Sequence, residues 1–133
     1  MSIIKKIKTF SSDDRGDIID IFSNEPKEHC TIVTFNKNAV RGNHFHKKSI
    51  QSAYVLNGKF KVLNVKVDDK SNYSLKDVEE TEVSEGHYII HNEYEAHAYK
   101  CESDFGKLLV FTTGIRGGEK YEEDTYRLQN KLI

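Results

Sequence analysis

The sequence predicts an all-β domain, its antiparallel strands closed into a sandwich or barrel. Three observations carry that expectation. Short apolar stretches rich in β-branched and aromatic residues recur along the chain. Clusters of Gly, Asn, Asp and Ser separate them at short intervals, which is turn chemistry. Residues 119–132, free of glycine and proline, are the one stretch read as having room for a helix.

In chain order, residues 3–9 form the first expected strand, and Ser-Ser-Asp-Asp-Arg-Gly at 11–16 a turn. Strands follow at 18–22 and 31–35, with an Asn-Lys-Asn turn at 36–38. Residues 51–60 read as strand, Asn57-Gly58 turn and strand, the pattern of a tight hairpin. Along 60–67 the alternation changes phase: Phe60 and Val62 share one face, Leu63, Val65 and Val67 the other. A bulge at Val62 and Leu63, or burial on both faces, would each produce that pattern. Residues 68–73 are turn-forming, Gly86 precedes a strand at 88–90, and Gly106 precedes one at 108–112. In 119–132, Tyr121, Leu128 and Leu132 make a weak helical stripe, and Arg127 falls in what reads as a packing segment. No repeat, low-complexity tract or interdomain linker interrupts the chain, so residues 1–133 read as one domain.

Composition narrows the function classes. The formal net charge of -1 offers no basic surface for nucleic acid and no acidic tail. No apolar run is long enough to cross a bilayer, and the first residues lack the apolar core of a signal peptide. The expectation is a soluble cytoplasmic protein with no nucleic-acid or membrane partner. Cys30 and Cys101 fall in strands without metal-type spacing and read as buried, unreactive thiols.

The chemistry concentrates in Arg41-Gly42-Asn43-His44-Phe45-His46 and the lysines that follow. Side chains two apart on a strand point the same way, so His44 and His46 share a face and Phe45 takes the other. Arg41, Lys47 and Lys48 make the surroundings basic. His97 lies in a second strand segment and can meet the pair inside a barrel mouth. His87 and His91 read as structural hydrogen-bonders. Tyr94 and Tyr99 could stack on a base or donate a proton, although core packing is the favoured reading.

These residues resemble the two motifs of the cupins. His44, His46, Gln51 and Gly58 fall on the first motif, and Gly86, Asn92, Tyr94 and His97 on the second. The resemblance implies a jelly-roll β-sandwich (RmlC-like) that is a homodimer. The motif's proline and second glycine are absent, and its acidic ligand is replaced by Gln51. Metal-holding cupins use three histidines and a carboxylate; the neutral Gln51 and the adjacent lysines disfavour a cation here, so neither metal nor cofactor is expected.

A narrower resemblance is to the cupin sugar 3,4-ketoisomerases of nucleotide-linked 4-keto-6-deoxyhexoses. It rests on Arg41-Gly42, His44, His46-Lys47, Gln51 and Leu56-Asn57-Gly58, and on Asp13-Asp14-Arg15-Gly16, a motif shared with the 3,5-epimerases. The tyrosine those enzymes carry on the strand before the arginine is absent; Thr31, Val33 and Phe35 stand there. The C-terminal cupin domain of some capsule-sugar reductases also carries Arg-Gly-Asn-His. The resemblance implies a dTDP-linked 4-keto-6-deoxy sugar substrate, serving deoxyamino-sugar and lipopolysaccharide synthesis. It implies His44 and His46 as catalytic residues, with His46 the base or shuttle. Arg15, Arg41, Lys47, Gln51, Tyr94 and His97 would bind substrate, Arg15 meeting the diphosphate and Arg41 the diphosphate or a developing enolate. A 3,5-epimerase, a metal-dependent small cupin enzyme and a non-catalytic sugar-binding cupin stay open as alternatives.

Overall fold

The computed structural model describes residues 2–114 and 123–133. Two five-stranded sheets face each other as a jelly-roll sandwich. One runs β1 (Ile3–Lys6), β9 (His87–His91), β6 (Ile50–Asn57), β11 (Phe105–Thr113) and β4 (His29–Asn36). The other runs β12 (Tyr126–Arg127), β5 (Val40–Phe45), β10 (Glu95–Cys101), β7 (Lys59–Lys66) and β8 (Glu79–Ser84). A separate hairpin, β2 (Ser11–Asp13) and β3 (Gly16–Ile18), stands on its own. Every pairing is antiparallel, and no α-helix occurs among the described residues.

Alternation sets the layers. Phe35, Ala53, Val55, Phe60, Val62, Val83, Ile89, Leu108 and Val110 point between the sheets and form the main core. Each larger side chain buried there contributes about 1.5–3 kcal/mol of transfer free energy. A second cluster of Phe45, Val65, Val67, Ala96 and Leu128 covers the outer face of the β5–β10–β7 sheet. Tyr54, Tyr88 and Phe111 do the same outside the other sheet, joined by Ile7, Ile21 and Phe22. The phase change along β7 is therefore burial on both faces. Its register with β10 and β8 is unbroken, so there is no bulge at Val62 and Leu63. Gly58 turns the hairpin at φ 95°, and a Cβ there would lie 2.6 Å from the Phe105 carbonyl.

Four expectations are corrected. Residues 19–22 are not strand; Ile21 and Phe22 instead pack over the outer face against Phe111, Phe22 edge-on at 4.8 Å. Gly106 lies within β11 rather than before it, and the position calls for glycine because a Cβ there would strike the Phe60 ring. Cys30 is exposed on the outer face of β4, while Cys101 is buried. Residues 123–132 form no helix: Tyr126 and Arg127 pair with the open edge of β5, satisfying backbone groups that a helix would leave bare. Tyr121 lies outside the described residues. The polar strand β8 escaped the sequence reading because it is an edge strand with Val83 as its one buried residue.

Candidate functional site

Between the sheets, beside the core, lies a cavity of about 650 Å³. Its walls are β4, β5, β10 and β11, with Gln51 of β6 and the C-terminal Thr125 and Arg127. Val33, Phe35, Leu108 and Val110 make one part apolar. His44, His97, Gln51, Tyr99 and Thr112 make another part polar.

A bulge in β5 builds this wall. The register with β10 passes from His97 opposite His44 to Ala98 opposite Gly42, leaving Asn43 as the extra residue. Gly42 and Asn43 both have positive φ, 100° and 58°. A Cβ on Gly42 would sit 2.6 Å from the His97 carbonyl, so only glycine permits the close approach. The extra residue lets Arg41 and His44, three apart, both reach the cavity, where strict alternation would separate them. Asn43 faces outward and clamps the chain end: its Oδ1 accepts from the Leu132 and Ile133 amides at 2.8 and 3.3 Å. Each member of Arg-Gly-Asn-His thus has its own task.

Three imidazoles gather at the polar part. Ring centroids are 5.0 Å apart for His44 and His46, 4.9 Å for His44 and His97, and 5.4 Å for His46 and His97. His44 and His97 line the cavity; His46 is 1% exposed and sits behind them. His46 Nδ1 donates to the Asp124 carbonyl at 2.8 Å, and Nε2 faces the Gln51 amide oxygen at 3.1 Å. With Nδ1 already donating, a neutral ring requires Gln51 to present its NH₂, and an imidazolium requires its oxygen. A neutral amide can serve either protonation state; a carboxylate could not. Asp124 also fixes the turn after β5, its carboxylate accepting from the Lys47 and Lys48 amides and the Ser49 hydroxyl at 3.0, 2.9 and 2.8 Å. Burial pushes the Asp124 carboxyl up, but the Ser49 hydroxyl, the two amides and nearby His46 outweigh it and hold it below the usual range.

Ligand nitrogens of His44, His46 and His97 lie within 4.8 Å of one another. Both nitrogens of His46 are engaged by Asp124 and Gln51, and the set lacks a carboxylate. A tetrahedral cation with bonds of about 2.0–2.1 Å would require the three nitrogens to draw together and His46 to give up its contact with Gln51.

His97 is wholly buried; its Nδ1 donates to the Glu95 carbonyl at 3.0 Å, and its Nε2 has no hydrogen-bond partner. Its ring stacks on His91 with centroids 4.1 Å apart and planes 7° from parallel. His91, read from sequence as a structural residue, therefore belongs to this cluster, while His87 bonds back to Ser84 away from the cavity.

Of the other substrate-binding candidates, Arg41 and Gln51 reach the cavity. The Arg41 guanidinium donates to the Thr34 carbonyl at 3.1 Å and covers the Phe35 ring at 5.3 Å. Arg15, Lys47 and Tyr94 do not line this cavity. Arg15 projects into solvent from the β2–β3 turn, its side chain 85% exposed and paired with Asp13 at 2.6 Å. Lys47 has the opposite parity to His44 and His46, so it faces outward and lies 4.3 Å over the Tyr126 ring. Tyr94 takes φ 62° at the place where the cupin motif has glycine, and its hydroxyl donates to Asp69 at 2.7 Å beside that outer cluster. Sequence reading missed Arg127, which β12 pairing sets opposite His44, and His29 and Thr31, which β4 brings to the wall. The outward parity of Lys47 was the available signal; nothing in the sequence signals the pairing of β12.

Residues 11–99 match the family described as polysaccharide biosynthesis C-terminal domain. No curated protein matches the chain in sequence. Among solved structures, the sugar 3,4-ketoisomerase QdtA from Thermoanaerobacterium thermosaccharolyticum, in complex with TDP, superposes with a TM-score of 0.74 at 20% identity, covering 96% of this chain and 88% of that one. A 3,4-ketoisomerase from Helicobacter canadensis gives 0.72 at 17% identity, covering 95% and 90%. The dTDP-4-dehydrorhamnose 3,5-epimerase from Sulfolobus tokodaii gives 0.73 at 21% identity, covering 88% and 72%. The fold is that of the RmlC-like cupins.

Proposed function

Because the chain belongs to the polysaccharide biosynthesis C-terminal domain family, we propose that it is a nucleotide-sugar 3,4-ketoisomerase. It moves the carbonyl of a dTDP-linked 4-keto-6-deoxy sugar from C4 to C3. The observation that carries this reading is the imidazole cluster of His44, His46 and His97 at the polar part of a sugar-sized cavity. The reaction takes a proton from C3, forms an enediol and returns a proton at C4. Imidazoles transfer protons near neutral pH, and no redox cofactor is needed. His44, at the cavity wall, carries the proton; His46, behind it and held by Asp124, is its partner. This reverses the roles that the family resemblance implies for the two. Arg41 and Arg127 supply positive charge for the diphosphate or the enolate. We take residues 1–133 as one cupin domain acting as a cytoplasmic homodimer. Exposed Phe10 and Ile18 on the β2–β3 hairpin, 71% and 58% accessible, support a partner subunit there.

The 3,5-epimerase is the second reading, supported by epimerase structures of equal similarity. The test is incubation of the 4-keto sugar in deuterated water. Deuterium at C4 with the ketone at C3 supports the isomerase, and activity should survive chelator. Label at C3 and C5 with the ketone unmoved overturns it. His44→Asn and His46→Asn should each lower turnover by about 10²–10⁴-fold.

A further inference from the structure

Isomerisation requires two proton movements, one between carbons and one between oxygens. The C3 hydroxyl must lose its proton and the C4 oxygen must gain one. The imidazole cluster accounts for the carbon proton alone.

A second chain of polar groups reaches the cavity at Tyr99, two residues beyond His97 on the same face of β10. The Ser2 hydroxyl donates to Glu95 Oε2 at 2.7 Å. Its oxygen then accepts from His91 Nδ1, 2.6 Å away. That fixes the tautomer and leaves His91 Nε2 as the acceptor for the Tyr99 hydroxyl, at 2.7 Å. His91 is wholly buried, and Tyr99 and Glu95 are 4% and 3% exposed. A buried carboxylate thus connects, through a serine and an imidazole, to a phenol at the cavity wall. Tyr99 lines the cavity, and with its proton committed to His91 its oxygen keeps lone pairs with which to accept.

We infer that Tyr99 is the catalytic residue that handles the substrate's hydroxyl proton, with His91, Ser2 and Glu95 as its relay; the inference rests on the ketoisomerase reading. The C3 hydroxyl gives its proton to the Tyr99 oxygen as the Tyr99 proton passes to His91 Nε2. In the same movement the His91 Nδ1 proton passes to Ser2 and the Ser2 proton to Glu95. Run in reverse, the relay delivers a proton to the C4 oxygen, and every group regains its starting state. No oxidant or reductant takes part. Burial raises the Tyr99 phenol far above its usual range and lowers His91 to about 3, so neither holds charge at rest and the transfers are concerted.

The test uses Tyr99→Phe and Ser2→Ala in the full chain, with the keto sugar in deuterated water. Two rates are read: deuterium wash-in at C3 and migration of the ketone. Tyr99→Phe should lower migration at least 100-fold while wash-in stays within tenfold. Ser2→Ala, outside the cavity, should lower the ratio of migration to wash-in about tenfold with KM unchanged. Equal loss of both rates in Tyr99→Phe, or no loss of migration, overturns Tyr99's role. An unchanged ratio in Ser2→Ala overturns the relay. A wild-type protein that never moves the ketone instead overturns the ketoisomerase reading itself.

Discussion

His91 and His97 lie face to face in the interior, where a charged imidazole has no water to solvate it. Burial foremost, and then the neighbouring His46, lowers His91 to about 3. Burial foremost, followed by His91, His44 and His46, also holds His97 well below its ordinary value, outweighing its bond to the Glu95 carbonyl. In the unfolded chain each would take up a proton near pH 6.5. The unfolded state therefore binds more protons between about 6.5 and 3, and stability rises with pH across that window. The His91 contribution is complete above about 6.5 and is lost as pH falls toward 3, on the order of a few kcal/mol. Urea midpoints measured from pH 7 to pH 4 should fall steadily in the wild type and less in His91→Gln. Parallel pH profiles for the two proteins would contradict the assignment.

At the scale of elements, the site depends on the β5 bulge and the C-terminal segment laid against it. Gly42→Ala drives a Cβ onto the His97 carbonyl at a position with φ 100°. It should destabilise by about 1–3 kcal/mol and, by displacing His44 from His97, lower turnover about 10²-fold. Wild-type melting and kinetics in Gly42→Ala would show that the bulge is not needed. Asp124→Ala removes the acceptor of two amides and a hydroxyl while keeping the backbone carbonyl that holds His46. The expected cost is about 2–4 kcal/mol of stability, since bonds to a charged acceptor are worth about 1.5–3 kcal/mol each and water recovers part of the loss. Thermal melts that coincide with wild type would refute it. The strands at 31–35, 53–56, 60–67 and 88–90 were legible because period-two alternation and the Asn57-Gly58 turn are local signals. The bulge was not: Arg41 and His44 on one face contradict simple alternation, and only pairing with β10 brings them together. Arg127 was hidden for the same reason, since β12 is two residues long and owes its existence to the β5 edge.

At the scale of the whole molecule, one face of each sheet packs the core while the sandwich leaves a cavity whose polar part is rich in imidazole. His44, Gln51 and His97 come from β5, β6 and β10, so long-range pairing assembles the site. The cupin motifs made that convergence readable from sequence for His44, His46 and His97. They said nothing of Tyr99 and His91, whose hydrogen bond joins two sheets. With a net charge of -1 over the whole chain, Arg41 and Arg127 are the arginines at the cavity, and on the proposed reading they would attract an anionic nucleotide.

The most direct measurement follows one hydrogen through a single turnover in ordinary water, starting from 4-keto sugar labelled with deuterium at C3. A proton carried by one imidazole at the cavity wall should appear, in part, as deuterium on C4 of the 3-keto product. Deuterium retained at C3 beside an unmoved C4 ketone would contradict the account.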